Sequence, residues 1–210
     1  MIIFHNDSDY KTNAGGTMCG RYQFTMTEND DVQKIVRHIE GMYGPEAMKY
    51  GEVRPTNRAP VLMPSRSGFT PDMLTWGFQT SRSLVINARV ETVAEKPLFK
   101  EGIASKRCVI PSTGFFEWNG AKRQYLFNLP GAEILYMAGI YATWSDDPCY
   151  CILTTAANES MQEIHDRMPL ILTKDQIEPW LNDPAETASF LHMTPPQLEK
   201  APMDEQLSLW

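Results

Sequence analysis

The chain has 210 residues, 42% of them hydrophobic, five tryptophans and a formal charge of -7. That length suits one fairly large domain with a real core, and the composition excludes a disordered polymer. The acidic total excludes a simple basic nucleic-acid binder, but the charge is uneven. Residues 1–125 hold 16 Lys and Arg against 13 Asp and Glu, and residues 126–210 hold 3 against 13. The first part can therefore present a local positive face, although an ordinary acidic protein with solvated charges fits the same counts. No apolar run approaches the ~20 residues of a membrane span.

Residues 1–17 are polar, lack periodicity and have neither the basic flank nor the apolar stretch of a secretory signal, so they read as a leader outside the mature protein. Thr27-Glu28-Asn29-Asp30 resembles a helix cap with an acidic first turn, and Val32, Ile35, Val36 and Ile39 form a helical stripe ending at Gly41 and Gly44-Pro45. From about 60 to 155 the chain reads as short strands: 61–63, 84–86, 108–110, 115–118, 125–127, 134–141 and 149–155. Residues 158–164, 174–182 and 184–192 have helical composition, with Asn158, Thr173 and Asp183 as caps. The pattern predicts an α+β fold, a single domain over residues 18–210 built on a curved, barrel-like, mostly antiparallel β-sheet with flanking helices.

Four cysteines stand at 19, 108, 149 and 151. Cys149-x-Cys151 lacks a second ligand pair, so zinc is not expected, and scattered thiols fit a reducing cytoplasm. Cys19 follows Met18. If Met18 is the start, or the leader is cut, Cys19 becomes an N-terminal residue whose α-amine and thiol titrate at ~7.7–8.0 and ~8.5. Both are nucleophiles near neutral pH and can attack one aldehyde in turn. A buried structural cysteine is the competing reading.

Three further clusters place polar residues where a structural strand does not need them. Asn87, Arg89 and Glu91 share one face if the strand continues through them; that face lines a cleft or simply meets solvent. Glu117 follows Phe115 and Phe116, surroundings that suit a general acid or base, or else it faces solvent. His165 is a proton carrier by type, though a lone histidine is more often structural. Spacing alone does not join these clusters.

In order along the chain, Met18-Cys19-Gly20-Arg21-Tyr22, Asn87-Ala88-Arg89-x-Glu91-Thr92, Arg107-Cys108-x-Ile110-Pro111-x-x-Gly114-Phe115-Phe116-Glu117-Trp118 and Ile164-His165-Asp166-Arg167-Met168-Pro169 resemble the SOS-response-associated peptidase (SRAP) family. Arg58-Ala59-Pro60, Trp76-Gly77-Phe78, Ala138-Gly139-Ile140-Tyr141 and Thr154-Thr155-Ala156-Ala157-Asn158 fit the same pattern, over residues 18 to 182. The resemblance implies a protein that shields abasic sites in single-stranded DNA by cross-linking to them through an N-terminal cysteine. It implies that Cys19 supplies amine and thiol, Asn87 orients the cysteine backbone, Glu117 positions the amine and assists proton transfer, and His165 acts as acid or base. Arg21 and Arg89 would hold phosphates. Pro55, Trp76 and Trp118 would pack against DNA, and Thr155 would contact its backbone. The family's peptidase name implies self-removal of the residues ahead of the cysteine, and some members reverse their own cross-link.

Two departures stand out. Seventeen residues precede Met18, and while they remain the Cys19 nitrogen is an amide. After Phe78, where the family often carries Pro and Trp, residues 79–83 read Gln-Thr-Ser-Arg-Ser. The expectation is a cytoplasmic monomer, nucleoid-associated when on DNA, without metal, nucleotide or organic cofactor. A thiol autopeptidase acting only on its own leader or on other proteins, and a non-catalytic single-stranded DNA-binding module, are the competing readings.

Overall fold

A computed structural model describes residues 20–144 and 147–203. In chain order the strands are β1 (Tyr22–Phe24), β2 (Gly51–Val53), β3 (Arg58–Ser65), β4 (Gly68–Trp76), β5 (Phe78–Gln79), β6 (Leu84–Val85) and β7 (Asn87–Arg89). They continue as β8 (Arg107–Ser112), β9 (Gly114–Trp118), β10 (Gln124–Asn128), β11 (Leu135–Trp144), β12 (Asp147–Ala156), β13 (Arg167–Pro169), β14 (Ile171–Leu172) and β15 (Glu199–Pro202). The helices are α1 (Asp30–Tyr43), α2 (Pro97–Ser105), α3 (Ile177–Asn182) and α4 (Thr187–Leu191).

The larger sheet closes on itself. β12 pairs β4, β4 pairs β3, β3 pairs β8, β8 pairs β11, and β11 returns to β12. Closure removes the exposed edges that an open sheet must protect. The barrel is mostly antiparallel, with parallel contacts where β12 meets β4 and β7. A second sheet runs β15-β10-β9-β1-β2, with β1 central between β2 and β9. β8 passes into β9 through a corner at Gly114, which sits at φ +147°, while the Ser112 hydroxyl donates to Gly114 O (2.7 Å) and to Gln23 O (3.1 Å). The chain is thus an α+β single domain on a barrel-like sheet.

α1 forms for the reasons visible in its sequence. Asn29 Oδ1 accepts from the N–H groups of Asp31 (2.9 Å) and Val32 (3.3 Å), so Asn29 is the cap. Val32, Ile35, Val36 and Ile39 are buried, and Gly44 ends the helix at φ +92° with its N–H on Glu40 O.

The later segments depart from the expected helices. Residues 158–164 form successive turns, not a helix. Asn158 Oδ1 accepts from Ser160 N, while its Nδ2 donates to Pro195 O and Pro196 O, both at 3.0 Å. Side-chain bonds to a distant segment here replace the helical ladder. Residues 174–182 split into a 3-10 turn, Lys174–Gln176, capped by Thr173, and then α3. The expected helix at 184–192 shrinks to α4. The tail beyond 185 contributes structure, since β15 extends the second sheet through β10.

Two helix ends meet at one buried cation. Arg107, 3% exposed, donates to Ile103 O (3.0 Å) and Ala104 O (3.1 Å) at the end of α2. It also donates to Trp180 O (2.6 Å) and Leu181 O (3.4 Å) at the end of α3. A guanidinium suits this place because helix C-termini carry partial negative charge and unpaired carbonyls.

Candidate functional site

The site lies where the second sheet ends against the barrel. Directly opposed residues on antiparallel strands share a face. Tyr22 opposes Phe115, and the Phe116 N–H donates to Arg21 O (2.9 Å), so the same register sets Gly20 against Glu117. Gly20 also lies beside β7: a Cβ built on it would meet only the Ile86 Cδ1, at 4.0 Å, among the described residues. The residue after Cys19 therefore lies opposite the end of β9, with the Ile86 side chain, just ahead of β7, at van der Waals distance. Cys19 itself lies outside the described residues, as does the leader over residues 1–17.

Alternation along β1 and β9 sorts the neighbours into two faces. Tyr22, Phe115 and Glu117 share the inner face, where Glu117 is 4% exposed. The sequence left Glu117 between an aromatic pocket and solvent; it is buried beside Tyr22 and Phe115. Arg21 and Trp118 share the outer face, with the Arg21 guanidinium 5.0 Å from the Trp118 ring centre. Glu52, opposite Gln23 on β2, reaches Arg21 Nε at 2.9 Å and also pairs with Arg54. Arg21 thus arrives already partnered by a carboxylate, which the sequence did not reveal.

β7 runs parallel to β12, with Asn87 beside Ile152 and Arg89 beside Thr154. β13 covers the other edge of β12, since Thr154 also pairs Pro169. Arg89 is exposed and makes no ion pair among the described residues. Glu91, however, lies in the turn after β7 and not on the same strand face as Asn87 and Arg89. From that turn its carboxylate receives Arg167 NH1 (2.5 Å) and NH2 (2.9 Å), a bidentate bridge that passes over β12. The Arg167 guanidinium beside Glu91 holds that carboxyl below its usual range.

His165 precedes β13 by two residues, and its ring is 19% exposed. The Arg167 backbone N–H donates to His165 Nδ1 at 3.0 Å. Asp166 Oδ1 lies 3.0 Å from the same nitrogen, a contact that becomes an ion pair when the ring is protonated.

The remaining expected contacts separate. Trp76 has no exposed surface: its indole lies 5.2 Å from the Tyr22 ring and 6.2 Å from the Tyr150 ring, and its N–H donates to Ile86 O. It is a core residue supporting β7 and offers no face to a DNA base, which corrects the expectation of packing against DNA. Gly77 comes next at φ +111°, with its N–H on Tyr150 O; a Cβ there would meet Leu84 at 2.6 Å. Thr155 is 9% exposed on β12, opposite Met168, leaving little of it for a phosphate. Pro55 is half-buried in a turn pinned to Trp76 by Thr56 N–H···O (2.8 Å), while Trp118 is half-buried and accessible on the outer face.

Burial disfavours the thiolate at the other cysteines. It pushes the Cys108 and Cys151 thiols well above the usual value and the Cys149 thiol up to about 11. Among the described residues no group of three or more His, Cys, Asp or Glu is placed to hold a metal, and no helix is long and apolar enough to cross a membrane.

The sequence model of the SOS response associated peptidase (SRAP) family matches residues 18–208. The chain is 34% identical to the abasic site processing protein YoqW of Bacillus subtilis, over 79% of this chain and 80% of that protein. It is 30% identical to the abasic site processing protein YedK of Escherichia coli, over 78% and 79%. A crystal structure of a protein from Bacteroides thetaiotaomicron superposes with a TM-score of 0.73 at 28% identity, covering 89% of this chain and 93% of that one. The chain belongs to the SRAP family.

Proposed function

We propose that this protein processes abasic sites in single-stranded DNA by forming a covalent thiazolidine with the lesion through Cys19. The observation that carries the reading is the position of Gly20, set against Glu117 by the strand register and beside Ile86, the residue before Asn87. That position supports a reading in which the residue next to Cys19 runs opposite Glu117 and close to the segment that leads into Asn87.

The chemistry needs a free α-amine. The Cys19 nitrogen attacks C1 of the ring-opened sugar, forming a C–N bond and a carbinolamine. Loss of its hydroxyl as water gives the imine. The Cys19 sulfur then adds to the same carbon, its proton passes to nitrogen, and a five-membered ring closes with one water lost overall and no redox change. In this scheme Asn87 orients the Cys19 backbone and Glu117, shielded from solvent, takes and returns the amine proton. His165 delivers a proton to the departing oxygen. Arg21 and Arg89 hold flanking phosphates, and Trp118 offers a base a stacking surface on the outer face. Residues preceding Cys19 must be removed first, which gives the peptidase name its meaning here.

Chain beginning at Cys19 is expected to give a heat-stable adduct with abasic single-stranded DNA on a denaturing gel, and none with Cys19→Ser. An adduct that survives Cys19→Ser excludes the mechanism. Binding without any adduct would instead identify a non-covalent single-strand binder.

A further inference from the structure

The Glu91–Arg167 bridge is connected to His165 by more than sequence. The Arg167 guanidinium is 14% exposed and is fixed by both Glu91 oxygens, by Thr154 O at 2.6 Å and by Thr154 Oγ1 at 3.3 Å. Its own backbone N–H is the donor to His165 Nδ1. The His165 backbone N–H is in turn anchored on Met161 O (3.0 Å), and the Asp166 carbonyl accepts from Ala157 N (2.9 Å). β13 is three residues long and pairs β12 from Arg167 to Pro169, and the bridge adds to that short ladder a side-chain clamp on the residue whose amide meets the ring.

We propose that Glu91 and Arg167 are a positioning pair that sets the tautomer of His165. A neutral imidazole has one nitrogen that donates and one that accepts. Two groups compete for Nδ1: the Arg167 N–H, which can only donate, and Asp166 Oδ1, which when ionised can only accept. An amide clamped in place makes Nδ1 the acceptor and puts the proton of the neutral ring on Nε2. When the ring is protonated, Nδ1–H has Asp166 Oδ1 as its acceptor, the Arg167 amide gives up its bond to the ring, and Nε2 still carries its hydrogen. His165 therefore carries Nε2–H in both states, which in the proposed reaction makes it the donor to the departing oxygen and leaves the base role to Glu117. The Glu91 carboxylate acts through the guanidinium and one peptide group, touching neither DNA nor the reacting atoms. This inference rests on the proposed cross-linking reaction for its consequence, and on hydrogen-bond geometry alone for the tautomer.

The test reads both. Long-range proton–nitrogen NMR of the labelled full chain, with His165 assigned through His165→Gln, is expected to show the Nε2–H tautomer for the neutral ring. Glu91→Gln should populate both tautomers, and Glu91→Asp should restore the wild-type pattern. In the cross-linking form, Glu91→Gln should slow adduct formation at saturating DNA roughly tenfold, a share of the ~10²–10⁴ that a positioned acid contributes, with DNA affinity unchanged. Introduced on top of His165→Gln it should add nothing. An Nδ1–H tautomer in the wild type, an unchanged tautomer in Glu91→Gln, or equal slowing in the His165→Gln background overturns the proposal. Arg167→Lys, which keeps the backbone N–H but not the fork, should behave as Glu91→Gln does, and a wild-type spectrum from it has the same overturning force. Wild-type protein that forms no adduct refutes the cross-linking reaction instead, while the tautomer result stands on its own.

Discussion

The two arginines assigned to phosphates differ in their starting state, and that difference can be measured. Arg89 is exposed at the end of β7 with no ion pair among the described residues. Arg21 is engaged by Glu52 at 2.9 Å, with both side chains about one-third exposed. A phosphate beside an exposed guanidinium gains about 1 kcal/mol in water, so Arg89→Ala should weaken binding roughly fivefold at low salt. Losing one contact to a single strand lowers the salt slope by ~0.7. Between ~50 and ~200 mM salt the fourfold change is worth roughly 2.6-fold, so the defect should shrink to about twofold. Arg21 must first give up a surface pair worth ~0.5 kcal/mol, so Arg21→Ala should cost only about twofold. Glu52→Gln should tighten binding by a similar factor. Fluorescence anisotropy with a labelled strand bearing a tetrahydrofuran abasic analogue, which has no aldehyde, isolates binding from chemistry. Slopes for Arg89→Ala parallel to wild type, or a larger defect for Arg21→Ala, would refute the phosphate assignment.

Other measurements address stability and reactivity. Arg107→Met strips donors from four helix-end carbonyls; about 1 kcal/mol for each of the three shorter bonds gives a loss of about 3 kcal/mol. In a chain of this size that lowers Tm by roughly 6–12 °C by calorimetry, and a change under about 3 °C would show that water or relaxation replaces the guanidinium. With Cys108, Cys149 and Cys151 buried, native protein near neutral pH should show at most one fast thiol toward Ellman's reagent and four after denaturation; a second fast thiol contradicts the packing. The Glu91 carboxyl titrates lower in the folded chain than unfolded. Its stabilisation is therefore complete above the ordinary carboxylate range and is lost as pH falls through the folded value. Because Glu91 is half-exposed, Glu91→Gln should cost only ~0.5 kcal/mol near neutrality. Denaturant titrations of the two proteins should converge in acid, and divergence toward acid would reverse the sign.

The surroundings of the candidate residues were partly legible because the motifs are local. The strand over 115–118 was expected, and its register with β1 then sets Gly20 against Glu117. α1 was legible as well, since its cap and its 3.6-residue stripe are written in adjacent positions. The features that escaped depend on contacts across the chain. α2 is nine residues with Pro97 at its start and a Gly inside, too short for periodicity to reveal. Residues 158–164 have helical composition, but Asn158 binds a segment almost forty residues away. Glu91 looked like the third residue of a polar strand face until the turn after Arg89 sent it to Arg167, 76 positions later. Trp76 looked like a stacking surface, but closure of the barrel puts it between Tyr22 and Tyr150.

The central position of β1 has a consequence for maturation. A strand hydrogen-bonded along both edges, to β2 on one side and β9 on the other, is fixed by partners that lie C-terminal to it in the chain. Cutting the peptide bond ahead of Cys19 therefore removes no ladder bond of β1. Under the proposed reaction, freeing the Cys19 amine thus leaves the β1 ladder intact, so the scaffold over residues 20–203 should be the same before and after the cut.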